Sequence, residues 1–263
     1  MLEILSLNFV QNAIIASFLV SIAAGIIGSI VVINKMSFAA GGIAHGAYAG
    51  VGVAFYLGFA PFLGALISAV ILGALVAFFS FEKNERFDSL IGAMWAFGMA
   101  LGIVFSEMAA GYTSDLMSYL FGSILAVGRN DIYIMSGFDA IFIIFAWLFY
   151  SRLCAFSFDK EFAKLRGVNI KALYYAICVL TALCVVMSIQ VVGLVLVIAL
   201  LTIAPSLAEN FSKNLAEMMI LSFVFALVFC ILGLIIAFYL NLSSGASIII
   251  VASLAFFLSK FKK

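Results

Sequence analysis

The chain has 263 residues, 67% of them hydrophobic and only 10% charged, with 28 Phe and 2 Pro. Soluble domains are about 45–50% apolar and about 25% charged, and surface-to-volume scaling leaves too few polar residues here to coat a soluble fold of this size. The net charge of +1 offers no basic field to a nucleic acid, so the composition is that of an integral membrane protein.

Backbone polar groups in lipid must pair with one another, so only helices or closed barrels span it. Barrel strands alternate apolar and polar residues, whereas the apolar runs here are continuous. The predicted fold is an all-α integral membrane protein, a polytopic helix bundle forming one transmembrane domain over residues 1–263. A span needs about 20 mostly apolar residues. Residues 4–34 carry none of Asp, Glu, Lys or Arg and make the first. The stretch before them has an acid and no basic residue, unlike a secretory signal, so this segment is expected to stay as a span. Residues 36–81 are uncharged and long enough for two spans, divided at Gly58-Phe59-Ala60-Pro61. Asp88 and Glu107 frame a fourth.

The following stretch mixes polar and apolar residues and is broken by Gly122 and Gly128, so 117–127 reads as a short re-entrant or interfacial helix. Residues 132–151 make a fifth span interrupted by Asp139. Residues 172–208 divide near Gln190–Gly193 into two shorter spans. Residues 218–259 divide at Asn241-Leu242-Ser243-Ser244-Gly245. The expected number is about nine, within a range of eight to ten.

Charge distribution orients the bundle. With the N-terminus outside, twelve of the thirteen Lys and Arg fall in inner loops or at the C-terminus, and only Arg129 lies outside. If 117–127 crossed the membrane, the five basic residues between Arg152 and Lys171 would move outside. The expected topology is N-out, C-in.

Several chemistries are missing. No Gly-rich phosphate loop ends in Gly-Lys-Ser/Thr, and no loop is long enough for a nucleotide-binding domain. No paired carboxylates or Ser/His/Asp order suggest hydrolysis, so the chain is not expected to be an enzyme. One His and four Cys without paired spacing argue against a zinc finger, an iron–sulfur cluster or haem. No permanently bound cofactor is expected, and Cys154, Cys178, Cys184 and Cys230 read as small apolar side chains.

The single histidine, His45, lies in the second span within Gly41-Gly42-Ile43-Ala44-His45-Gly46. Gly42, Gly46 and Gly50 recur at i, i+4, i+8 on one helix face and permit close helix packing. Ionisable groups at this depth line a pathway or find a partner. His45 therefore reads either as a hydrogen bond to a neighbouring helix or as a metal or proton ligand. Asp139 reads as a polar contact between helices or as a shallow, partly wet acid. Glu107 and Asp115 lie at the outer mouth, where acids attract cations or are simply solvated.

Two inner segments stand out. Phe156–Asn169 carries Asp159, Lys160, Glu161, Lys164 and Arg166 on a short amphipathic helix closed by Gly167. The other starts at Pro205, which is expected to end the seventh span. Beyond it Leu207 and Phe211 share one helical face, and Glu209 and Lys213 the same spacing on a polar side. Each reads as a docking element or as an ordinary connection.

Taken together, Lys35-Met36-Ser37, Ile43-Ala44-His45, Leu120–Leu125, Phe158–Ala163 with Gly167-Val168, and Gln190–Val197 leading to Pro205 resemble the permease subunit of the zinc/manganese/iron-type ABC importers. The pieces occur in the family's order over nearly the whole chain. The later half is also similar to vitamin B12 and siderophore permeases, in which the segment after the equivalent proline contacts the ATPase. The resemblance implies a homodimer in the bacterial inner membrane with its pathway along the two-fold axis. It further implies a separate ATPase dimer inside and a metal-binding protein outside. Family members often carry Asp-x-x-x-His in the second span; here the Asp position is Gly41, and only His45 carries over. The implied cargo is a divalent transition-metal ion, zinc ahead of manganese or iron. A chelate or siderophore importer is the first alternative. A gradient-driven secondary transporter and a structural assembly protein belong to different classes; the former normally needs more intramembrane carboxylates.

Overall fold

The computed structural model describes residues 7–81, 87–109, 122 and 124–261, and they are overwhelmingly helical. In chain order the helices are α1 (Asn8–Ile33), α2 (Ser37–Leu57), α3 (Pro61–Phe81), α4 (Phe87–Met108), α5 (Arg129–Phe158) and the short α6 (Lys160–Leu165). They continue with α7 (Ile170–Val192), α8 (Leu194–Glu209), α9 (Leu215–Leu240) and α10 (Ser244–Phe261). Among the described residues seven helices, all but α6, α8 and α10, are long and apolar enough to cross a membrane. The helices α8 and α10 are apolar but shorter.

The punctuation read from the sequence marks the real ends. Gly58 (φ 74°) closes α2, and Pro61 opens α3, where its missing N–H has no intrahelical partner to lose. Gly193 (φ 78°) separates α7 from α8, and Asn241 (φ 52°) ends α9. Three expectations are corrected. The helix α5 runs unbroken through Asp139 for 30 residues, because its backbone bonds do not depend on the polarity of one side chain. The helix α7, at 23 residues, is a full span rather than a short one. Pro205 lies inside α8 instead of ending it. Most of the predicted 117–127 helix lies outside the described residues; what is described is Gly122 (φ 60°) and a single 3-10 turn, Ile124–Ala126.

The chain forms two compact units. One takes Met1–Val32, Met117–Leu148 and Met187–Lys263, the other Ile33–Leu116 and Phe149–Val186. In the first, α1 packs against α8 and α9 through a π-helical segment, Ala24–Gly28. A Cβ at Gly25 would fall 2.9 Å from the Met219 carbonyl oxygen, so only glycine admits this approach. Along α1 the hydroxyls of Ser17 and Ser21 turn back to the carbonyls of Ala13 and Ser17, which satisfies them within their own helix.

In the second unit α2, α3 and α4 pack backbone to backbone. Helices in lipid gain nothing from hiding apolar surface from water, so close contact between small residues carries their association. A Cβ at Gly50 would overlap the Gly64 carbonyl of α3, and one at Gly52 would overlap Gly102 of α4. This glycine seam positions the histidine.

Candidate functional site

The helix α2 is interrupted two residues after His45. Its first half ends at Gly46 and its second starts at Tyr48, with Ala47 as the turn. The Ser68 hydroxyl of α3 donates to the Ala47 carbonyl at 2.9 Å, and the Gly50 N–H reaches the same oxygen at 3.0 Å. A side chain inserted into the backbone ladder is a recognised cause of such a break.

His45 sits half-buried in the last turn of the first half. Its Nδ1 lies 3.0 Å from the Gly41 carbonyl oxygen. With Nδ1–H as the donor, the tautomer assigned by this bond, Nε2 keeps its lone pair for an incoming ligand. The imidazole stacks on the indole of Trp95 of α4, with centroids 3.8 Å apart and planes inclined by 22°. Phe38 lies against the same indole at 6.1 Å.

The predicted glycine face does more than one job. Gly42 abuts Ile91 of α4, Gly46 meets both Leu72 of α3 and Gly98 of α4, and Gly50 meets Gly64 of α3. The i, i+4, i+8 row therefore passes from one neighbour to the other across the break at Ala47, instead of serving one interface. Sequence reasoning missed Trp95, Ser68, Gly64 and the pair Gly98 and Gly102. The last two form a second small-xxx-small pattern, and Trp95 is one of 2 Trp in the chain.

The predicted acids do not join this site. Glu107 is exposed near the end of α4, about 18 Å beyond Trp95 at about 1.5 Å per residue. Asp115 lies outside the described residues. Asp139 is neither wet nor in a polar contact: it is 3% exposed, and neither carboxylate oxygen has a hydrogen-bond partner among the described residues. Nor do the described residues contain a cluster of three or more His, Cys, Asp and Glu able to hold a metal ion. None of the four cysteines, all among the described residues, forms a disulfide.

The two predicted docking segments differ from expectation. The helix expected over Phe156–Asn169 is shorter, because Phe156 and Phe158 belong to α5 and α6 spans only Lys160–Leu165. Asp159 caps α6, accepting from the N–H groups of Glu161 (2.9 Å) and Phe162 (3.0 Å), and Gly167 (φ 77°) follows its end. The Lys160 ammonium lies 5.1 Å above the Phe156 ring and 5.9 Å above Tyr174, while Glu161, Lys164 and Leu165 are exposed.

After Pro205 the chain stays helical to Glu209, turns, and restarts at Leu215, so Leu207 and Phe211 share no helical face. Leu207 is buried, whereas Phe211 is exposed and rests 6.2 Å from Phe225. Glu209 and Lys213 form no helical pair either. The backbone N–H of Lys213 donates to Glu217, which with Asn214 builds a reciprocal cap on α9.

Comparison with known proteins gives a consistent result. The sequence model of the ABC 3 transport family matches residues 6–263. An uncharacterized membrane protein of Synechocystis sp. is 43% identical over 259 residues, 98% of this chain and 92% of that protein. The manganese transport system membrane protein MntC of Halalkalibacterium halodurans is 32% identical, covering 98% of this chain and 89% of MntC. Among solved structures, PsaBC from Streptococcus pneumoniae in complex with Fab superposes with a TM-score of 0.88 at 33% identity, covering 99% of this chain and 94% of that one. An inward-facing, putative metal-chelate type ABC transporter has a TM-score of 0.76 at 17% identity over 96% of this chain and 86% of that one, a likeness of fold alone.

Proposed function

The chain belongs to the ABC 3 transport family as a metal-type permease of the bacterial membrane, and on that premise we propose that it is the spanning subunit of an importer for a divalent transition-metal ion, with zinc as the preferred cargo. The observation that carries the choice of metal is the pairing of His45 with Gly41. The imidazole is held by a backbone carbonyl, and no side-chain carboxylate stands one turn away. Imidazole nitrogen suits zinc and ferrous iron, whereas carboxylate oxygen suits manganese. Manganese is the second reading, favoured by the names of relatives such as MntC and the manganese import permease ScaB of Streptococcus gordonii.

The assembly proposed is a homodimer with nine spans per subunit, N-out and C-in, in the inner membrane. A metal-binding protein delivers the ion outside, where Glu107, exposed near the end of α4, stands at the mouth. A separate ATPase dimer supplies the energy inside, touching the Glu209–Lys213 turn and α6. His45 is the way station between. One exchangeable ligand per subunit serves a transporter well, since conduction requires binding weak enough to leave.

Uptake of radiolabelled zinc and manganese into vesicles holding the permease, its ATPase and its binding protein tests this. His45→Ala is expected to lower zinc uptake at least tenfold while the complex still assembles. Wild-type protein that carries manganese in preference to zinc would refute the choice of metal. Unchanged transport by His45→Ala at all metal concentrations would remove the ligand role.

A further inference from the structure

The His45 imidazole has a neighbour that the proposed transport does not yet use. Its ring face is covered by Trp95, half-buried on the adjacent helix, and the contact is held from both sides. Ile91, four residues before Trp95, abuts Gly42, and Gly98, three residues after it, has its backbone against Gly46. Both pairs bracket the stacked rings, so neither helix can slide without breaking a glycine contact. Rotation of the imidazole is limited further by its bond to the Gly41 carbonyl.

A divalent ion bound at Nε2 puts positive charge on the imidazole. In a low-dielectric span that charge is costly unless something of opposite sign faces it. A carboxylate at position 41 would do so, but glycine stands there. The electron-rich face of an indole is the strongest of the aromatic cation acceptors, effective within about 6 Å of the ring centroid. With the two centroids 3.8 Å apart, the imidazole that takes up the ion's charge lies inside that reach.

We propose that Trp95 is a positioning and specificity-determining residue of the His45 site, its indole face supplying the negative electrostatic partner that Gly41 lacks and fixing the imidazole plane for a divalent transition-metal ion. This rests on the reading of His45 as the ion's ligand. A quadrupole lacks a carboxylate's oxygen donors, so the pair favours ions content with nitrogen ligation over hard, oxygen-seeking ones. Manganese is thereby disfavoured at the same place that zinc is accepted.

The test has a transport arm and a spectroscopic arm. Trp95→Leu removes the π face but keeps apolar bulk, and Trp95→Phe keeps a π face. In vesicles with ATPase and binding protein, Trp95→Leu is expected to raise the KM for zinc about tenfold with maximal uptake nearly kept, and Trp95→Phe to stay within about threefold. For the second arm Trp147→Phe leaves Trp95 as the only indole of this chain; Trp147 is 79% exposed and remote from this contact in sequence. Zinc chloride titrated into the Trp147→Phe complex in nanodiscs should quench the remaining emission saturably, and His45→Ala in that background should abolish the effect. If His45→Ala loses uptake while Trp95→Leu keeps the wild-type KM, the role of Trp95 falls and that of His45 stands. If His45→Ala transports normally, both fall. Should Trp95→Leu fail to assemble, the Trp95→Phe KM and the emission titration decide, and an emission indifferent to zinc overturns the proposal.

Discussion

Pro205 of α8 lies directly against Gly28 in the π-helical segment of α1: a Cβ on the glycine would fall 2.8 Å from the proline Cγ and 3.0 Å from the Leu201 carbonyl oxygen. The two features explain each other. Pro205 has no N–H, so the Leu201 carbonyl one turn back has lost its helical donor. Gly28 leaves room beside that oxygen, where any side chain would crowd it. Gly28→Ala is expected to destabilise the protein by about 1–3 kcal/mol through overpacking. Pro205→Ala restores the N–H and removes the Cγ, so the double variant should lose less than the two single losses together. Thermal unfolding of the four proteins of this cycle in one detergent measures the coupling. Strict additivity would mean that the two residues do not act on each other.

The glycines of α2 make a sharper comparison. A methyl at Gly50 would overlap the Gly64 carbonyl, and one at Gly52 would overlap Gly102, both backbone that cannot swing aside. Gly50→Ala and Gly52→Ala should therefore lower the melting temperature and yield little folded protein. A methyl at Gly92 meets nothing within 4 Å, so Gly92→Ala should be neutral or stabilising by about 0.5–1 kcal/mol, the helix preference for alanine. Similar melting curves for Gly50→Ala and Gly92→Ala would contradict the packing described.

Much of this was legible in the sequence, and the reason is physical. Lipid admits only helices or closed barrels, and continuous apolar runs select helices, so charge-free runs punctuated by Gly58, Pro61, Gly193 and Asn241 locate the elements closely. The place of His45 inside a span-length apolar helix and the tight glycine row were legible for the same reason. Partners were not. The row turns from α4 to α3 at Ala47, whose carbonyl accepts from Ser68, a contact 21 residues away in sequence. The stacking of Trp95 on His45 joins residues fifty apart, which no local pattern encodes. Pro205 misled because the rule that proline ends a helix is relaxed in spanning helices, where neighbouring helices pack against the distorted turn, and here Gly28 of α1 lies against it.

Asp139 is where side-chain chemistry and environment disagree most. It is 3% exposed on a spanning helix with both oxygens unpartnered among the described residues. Leaving a buried polar group unsatisfied costs about 1–3 kcal/mol. Asp139→Val, similar in size and apolar, is expected to raise the melting temperature of the isolated permease. Asp139→Asn keeps an unpaired polar group and should gain little. A clear loss of stability in Asp139→Val would show that the carboxyl has a partner after all.

The last prediction separates folding from coupling at the proposed ATPase contact. Leu207 and Phe211 stand four residues apart, yet one is buried and the other 66% exposed. Leu207→Asp puts a charge into the interior and is expected to prevent folding, so it says nothing about a partner. Phe211 lies on the turn between α8 and α9 with its ring tilted by 54° to that of Phe225, and burial of such a ring in a partner cleft contributes about 1.5–3 kcal/mol. On α6, Leu165 is 87% exposed beside Lys164, a second apolar contact of the same kind. Lys160 is occupied over Phe156 and Tyr174, so its replacement perturbs α6 itself. Phe211→Asp and Leu165→Asp should each insert and melt normally but weaken retention of the ATPase about ten- to a hundredfold. Pull-down of the ATPase from detergent extracts, with melting temperatures measured alongside, ranks the two. If Leu165→Asp alone releases the partner, α6 is the coupling element and the Glu209–Lys213 turn is an ordinary connection. If Phe211→Asp alone does so, the force of ATP hydrolysis enters through the end of α8, whose Pro205 bears on Gly28 of α1.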